Sequence, residues 1–228
     1  MVRRILLGTV PTYDSSVFPA FRMSEQARRI YLSIWLILLA VVVGAGAGLF
    51  IATHRPPVPP ALSGGVVFRA GLVPAPDFQL RDQRGAVISP SVLRGRVVAL
   101  TFLDTQCQQM CPLQASLLGA VQSDLGPKAG PSVLVVSIRP EVDTPANIAA
   151  YASSHGLVGE LHWVTGSPAE LAPIWEEYGI GVQVANGDLI HTSVIYLIDR
   201  AGYERVAFSD LPDQAAVEND VRLLELGS

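Results

Sequence analysis

From Ile30 to Ala52 the chain reads IYLSIWLILLAVVVGAGAGLFIA, an apolar run without a single charge. As an α-helix it rises ~35 Å, enough to cross a hydrocarbon core of ~30 Å. This run divides everything else in the chain. On its N-terminal side stand Arg3, Arg4, Arg22, Arg28 and Arg29 against Asp14 and Glu25; on its C-terminal side only His54 and Arg55 precede a run of prolines. Positive residues stay cytoplasmic, so the expectation is a single-pass helix in the cell (inner) membrane, N-terminus in and the C-terminal domain extracytoplasmic. A cleaved signal peptide is the competing reading, but its apolar core would normally span only ~7–15 residues. Met23 directly precedes SEQARRIYLSIW, which makes a shorter cytoplasmic tail and an alternative start.

The expected organisation is therefore a tail over residues 1–29, an anchor over 30–52, a linker over 53–71 and a folded domain over 72–228. In the linker, HRPPVPPALSGG is stiffened by proline and loosened by Ser63-Gly64-Gly65. Residues 30–228 carry 11 Lys/Arg against 18 Asp/Glu with no basic stripe. That balance excludes a nucleic-acid partner and adhesion to an anionic membrane surface. No internal repeat is visible.

The folded part alternates strand and helix signals. DFQL and AVIS flank Asp82-Gln83-Arg84-Gly85, which predicts a hairpin. VVALTFL (97–103) and SVLVVSI (132–138) are continuous apolar runs, the pattern of strands buried on both faces. Between them Leu113, Leu117, Leu118, Val121 and Leu125 recur at helical spacing, and Gly126-Pro127 stops that helix. Thr144-Pro145 opens a second helix that closes near Gly156, and LHWV (161–164) reads as a short strand. Ser167 to Glu170 forms a capping box for a third helix, in which Pro173 should produce a kink. TSVIYLID (192–199) and ERVAFS (204–209) form a second hairpin, and a surface helix finishes the chain. This order predicts an α/β protein with a mixed central sheet, compatible with a thioredoxin-like fold.

The only two cysteines, Cys107 and Cys111, lie in TFLDTQCQQMCPLQ, between the end of a central strand and the start of a helix. Pro112 suits the first helical position, which puts Cys111 at the helix start and Cys107 in the loop before it. Free backbone N–H groups and the helix dipole there stabilise negative sulfur, so both thiols should ionise more easily than a free cysteine. Three uses are open. A structural disulfide closing so short a loop gains only ~2 kcal/mol, little for a domain of this size. A thiol–disulfide catalyst would ordinarily have two residues between its cysteines, and a cis-proline before the facing strand; here three residues intervene and GVQVANGDLIHTSVIYLID contains no proline. A thiol peroxidase wants Thr or Ser three residues before the reactive cysteine, where Asp104 stands. The third use is a metal site, for which a third ligand is needed. Of four histidines, His54, His155 and His162 have ready structural roles, whereas His191 enters a buried strand from a loop at the end where the cysteines should lie.

Taken in order, LDTQCQQMCPLQ, SIRPEVDTPANIAAYA, WVTGSPAELAPIWEEYGI and DLIHTSVIYLIDRAG resemble the Sco (SenC) family of membrane-anchored copper chaperones, over roughly residues 72–227. The resemblance implies a thioredoxin-like fold and copper, Cu(I) or Cu(II), held by Cys107, Cys111 and His191. It also implies a metallochaperone rather than an enzyme. Its partners would be the copper-accepting subunit of cytochrome c oxidase and an upstream thiol reductant or copper donor. Two thiolates select Cu(I), and an added imidazole makes a three-coordinate site open to ligand exchange. The same two cysteines would form a redox-active disulfide that must be opened before copper binds. Met110 packs against the sheet or faces the partner, with a role as an extra soft ligand as the alternative. Two features depart from the family: Arg139-Pro140-Glu141 stands where Asp-Pro-Glu is usual, and Gln108 and Gln109 replace the usual Asp between the cysteines. Neither touches a ligand. A membrane-tethered thiol–disulfide oxidoreductase remains the alternative function.

Overall fold

The computed structural model describes residues 24–53, 61–157, 159–185 and 188–227. The chain divides into two compact units, Met1–Val58 and Pro59–Ser228. In the first, helix α1 spans Glu25–Thr53, and its described side chains, Trp35 and Leu36 among them, are exposed on nearly every face. Over Glu25–Gly46 its length and composition suit either a membrane anchor or a signal sequence.

The second unit is a thioredoxin-like α/β domain. Its strands are β1 (Val66–Val67), β2 (Leu80–Asp82), β3 (Val87–Ile88), β4 (Val98–Leu103), β5 (Ser132–Ser137), β6 (Leu161–Thr165), β7 (Val182–Ala185), β8 (Asp188–His191), β9 (Val194–Ile198) and β10 (Glu204–Ser209). Its helices are α2 (Met110–Ala129), α3 (Pro145–Ser154), α4 (Pro168–Glu177) and α5 (Gln214–Glu225). Eight strands form one mixed sheet in the order β1-β10-β9-β4-β5-β6-β2-β3, with β4, β5 and β6 parallel and the other pairs antiparallel.

Every residue of β4 and of β5 is buried, as their unbroken apolar runs require when both sheet faces are covered. Alternate side chains feed two cores. Ala99, Leu103, Val133 and Val135 pack with Leu118, Ile148, Val217 and Val221 from α2, α3 and α5. Val98, Leu100, Phe102, Leu134 and Val136 pack with Leu171 and Ile174 from α4 on the other face. Each Val, Leu, Ile or Phe among them contributes about 1.5–3 kcal/mol by leaving water, and together they fix the level at which β4 ends and the cysteine loop begins.

Both predicted hairpins form, β2–β3 and β9–β10. Thr144 caps α3 and Ser167 with Glu170 makes the capping box of α4. Four expectations are corrected. Helix α2 starts at Met110, so Pro112 occupies the third helical position; it fits because the first-turn N–H groups have no intrahelical partner to lose. Gly126 does break α2, at φ 72°, but one further helical turn follows through Pro127. Helix α4 runs uninterrupted through Pro173, held by its capping box and by buried Leu171 and Ile174. Finally, the expected linker over 53–71 does not stay free along its length. Residues 54–60 lie outside the described residues, but Ser63 and Gly64 donate to the fully buried carboxylate of Asp220, and β1 pairs with β10. A Cβ on Gly64 would collide with the side chain of Val206, so glycine is needed for this approach. The part of the expected tail over 1–23, Met23 included, and His54 lie outside the described residues.

Candidate functional site

At the C-terminal end of β4 the chain leaves the sheet at Asp104 and turns before α2. Asp104 is 1% exposed. Its carboxylate accepts from the Gln106 N–H at 2.7 Å and its carbonyl from the Cys107 N–H at 3.2 Å. Asp143 accepts from the Thr105 N–H at 2.9 Å and from the Ser137 hydroxyl. The loop thus hangs on two buried carboxylates. Gln109 occupies the N-cap of α2 but makes no side-chain cap hydrogen bond. The first-turn N–H groups are left for another acceptor, and those of Gln109 and Cys111 serve the sulfur of Cys107.

The two thiols differ. Cys107 is half-buried at the mouth; Cys111 is 1% exposed and packed into the core beside α2. Both are free. The Cys111 thiol donates to the Cys107 sulfur, and this bond, helped by the backbone N–H groups and by the nearby His191, brings the Cys107 thiol down to about 5. The same bond holds the proton on Cys111, and burial pushes its thiol further up. The expectation that both thiols ionise easily is therefore corrected: a dithiol sharing one proton ionises at its solvent side, and the helix start serves only that sulfur.

His191 is the last residue of β8, not a loop residue before the next strand as expected. It belongs to a two-stranded sheet formed by β7 and β8, with Val182 opposite His191 and Ala185 opposite Asp188. Its Nδ1 donates to the Thr192 carbonyl at 2.9 Å, which fixes the tautomer with the lone pair on Nε2. That Nε2 lies 3.6 Å from Cys111 Sγ. Sulfur and nitrogen bound to one metal at ~2.3 and ~2.0–2.1 Å stand ~3.6–3.8 Å apart at tetrahedral to trigonal angles, so this pair suits a common metal. Among the described residues no three His, Cys, Asp or Glu side chains sit at metal-holding separations.

Cys107 and His191 open on a cavity of about 370 Å³, lined also by Met110, Arg139, Ile190 and Ser193 among others, with Cys111 buried behind its wall. Met110 is half-buried on its wall. Leu113 and Ile190, 50% and 59% exposed, give the surroundings an apolar surface. A larger cavity of about 550 Å³ lies at the opposite ends of β5 and β6, beside Arg96, Gln122 and Glu160, and has no sulfur or imidazole in its wall. The other described histidines stay structural. His155 bonds the Tyr151 carbonyl at the end of α3, and His162 pairs with Asp82. The β7–β8 hairpin was missed in the sequence, although VQVANGDLIH carries an Asn-Gly turn signal between alternating residues. The pairing of Arg139 with Asp104, at 3.0 Å, has no sequence signature.

A dithiol at a helix start, on a thioredoxin-like sheet with an imidazole facing it, defines a thiol-based redox or metal-handling protein. The chain belongs to the SCO1/SenC family, whose pattern matches residues 71–224. It is 24% identical over 175 residues to a SCO2-like protein of Rickettsia felis, covering 73% of this chain and 84% of that one. The copper-bound structure of Bradyrhizobium japonicum ScoI is similar with a TM-score of 0.58 and 28% identity, over 67% of this chain and 99% of that one. BsSco, a member of the Sco family of cytochrome c oxidase assembly proteins in which a disulfide switch was identified, is similar in fold. Its TM-score is 0.58 at 21% identity, over 70% of this chain and 97% of that one.

Proposed function

We propose that this protein is a copper chaperone that carries one copper ion on Cys107, Cys111 and His191 and delivers it to the binuclear copper centre of cytochrome c oxidase. The observation that carries the reading is the approach of His191 Nε2 to Cys111 Sγ at 3.6 Å with Nδ1 tied to a carbonyl. Copper here is cargo. Two soft sulfurs and one imidazole suit Cu(I) and tolerate Cu(II), and the cavity leaves one side of the metal free for an incoming ligand of the acceptor. Copper then passes by ligand exchange, without turnover of any bond in the protein. Because copper needs thiolates, an upstream reductant keeps the pair open and a donor loads it. Helix α1, retained as an anchor with the N-terminus cytoplasmic, holds the domain on the outer side of the inner membrane.

The asymmetry of the thiols favours a second reading, a membrane-tethered thiol–disulfide oxidoreductase. An accessible, easily ionised Cys107 is the nucleophile such a protein needs, and a shielded, protonated Cys111 is the resolving thiol. Copper loading separates the two. The reduced full-length protein in detergent should bind one copper per chain, with a thiolate-to-Cu(II) charge-transfer band when the metal is oxidised. Cys107→Ser and Cys111→Ser should each abolish tight binding, since one thiolate and one imidazole leave a weak site. Undiminished copper content in both variants would overturn the chaperone reading.

A further inference from the structure

The cysteine loop sits above two buried carboxyl groups, one of them ion-paired. Asp104 and Asp143, 1% and 3% exposed, both lie under it, and the field of Asp104 also acts on Asp143 and on Cys111. A dithiolate holding Cu(I) keeps a net negative charge in the same poorly hydrated place. Among the described residues a guanidinium faces this group. Arg139, two residues beyond the end of β5, puts Nη2 at 3.0 Å from Asp104 Oδ2 and lines the cavity that Cys107 and His191 share. Its side chain is 26% exposed and that of Asp104 is 2% exposed, so the pair is screened far less than a surface ion pair.

We propose that Arg139 is a positioning residue of the metal site: through Asp104 it holds the loop carrying Cys107, and its charge offsets that of the dithiolate. The inference rests on the copper reading for its first readout and on the dithiol alone for its second. The first is Cu(I) affinity. Without Arg139 the buried carboxylate would face the copper–dithiolate complex uncompensated and the loop that carries Cys107 would lose an anchor, which weakens the complex, where both sulfurs must be held in place. The second is the equilibrium of the cysteine pair with glutathione. There the Cys107–Cys111 disulfide takes two electrons from two glutathione thiols, giving the Cys107 thiolate, the Cys111 thiol, one glutathione disulfide and one proton released to the buffer. The reduced side carries the negative sulfur and the oxidised side does not, so the cation favours the reduced side.

Four full-length variants in detergent test this: Arg139→Gln, Arg139→Lys, Asp104→Asn and the double variant Arg139→Gln/Asp104→Asn. Cu(I) affinity is read by competition with bathocuproine disulfonate, and the redox equilibrium in glutathione buffers. Arg139→Gln should bind Cu(I) about tenfold more weakly and shift the equilibrium about tenfold toward the disulfide, or about 30 mV lower. Arg139→Lys should stay within about threefold of the parent, because it keeps the charge. The double variant should recover to within about threefold, because the substituted amide oxygen still accepts from the Gln106 N–H while both charges are gone. It remains informative even if Arg139→Gln alone is unstable. Parent values in Arg139→Gln, or a double variant with no recovery, would overturn the proposal. Undiminished copper in both Cys107→Ser and Cys111→Ser would instead remove the copper reading and leave the glutathione readout as the test of Arg139.

Discussion

Cys111 and His191 meet at 3.6 Å, yet the chain holds them by different means. The cysteine side is bolted to the domain. It continues a strand buried along its whole length, its loop bonds to two buried carboxylates, and Cys111 packs into the core. The histidine side is carried by β7 and β8, which pair with each other and not with the eight-stranded sheet. One half of the site is built into the fold and the other is brought to it. The proposed copper carrier would be served by this division: the sulfurs stay fixed while the imidazole arm gives way to an acceptor's ligand. The same division leaves disulfide chemistry to the rigid half alone.

The largest expected effect comes from removing the arm's contribution. His191→Ala should lower copper affinity about 100-fold, roughly 2.7 kcal/mol, by competition with a Cu(I) chelator. It should leave the reduction potential of the cysteine pair within about 30 mV of the parent. Intact copper loading with collapsed disulfide exchange would reverse the assignment of the two halves and favour the oxidoreductase.

A second contrast lies within the rigid half. With its thiol brought down to about 5, Cys107 should be alkylated by iodoacetamide at a rate nearly flat above pH 6 and falling about tenfold per unit below pH 5, as the thiolate is lost. Cys111, held protonated and buried, should remain unlabelled throughout that range, as peptide mass analysis would record. Equal labelling of both sulfurs would mean that they do not share a proton in this way.

The smallest effect concerns motion without chemistry. Amide hydrogens of β4 and β5 should exchange only by global unfolding, whereas those of β7 and β8 should exchange through local opening, about 10–100-fold faster. Copper should slow exchange in β8 more than in β4. Uniform protection across both regions would remove the distinction between a fixed and a mobile half.

The parts of the molecule legible in the sequence are those governed by local rules. Unbroken apolar runs announced β4 and β5, and caps announced α3 and α4. The positions of Cys107 and Cys111 followed from strand, loop and helix in succession. His191 was legible as a candidate but not as the end of a separate hairpin, because TSVIYLID next to it is a stronger strand signal and absorbed it. The opposite behaviour of the two thiols was not legible, since it depends on a hydrogen bond and on burial that only packing creates. The capture of Ser63 and Gly64 by Asp220 joins residues 157 positions apart, beyond any local pattern.

X-ray absorption spectroscopy of the Cu(I)-loaded protein, read beside its His191→Ala variant, tests the account most directly. The account predicts two sulfur ligands and one nitrogen ligand in the parent, and two sulfurs without that nitrogen in the variant. A sulfur-only shell in the parent, or a nitrogen that persists in the variant, would contradict a site shared between the cysteine loop and the β8 arm.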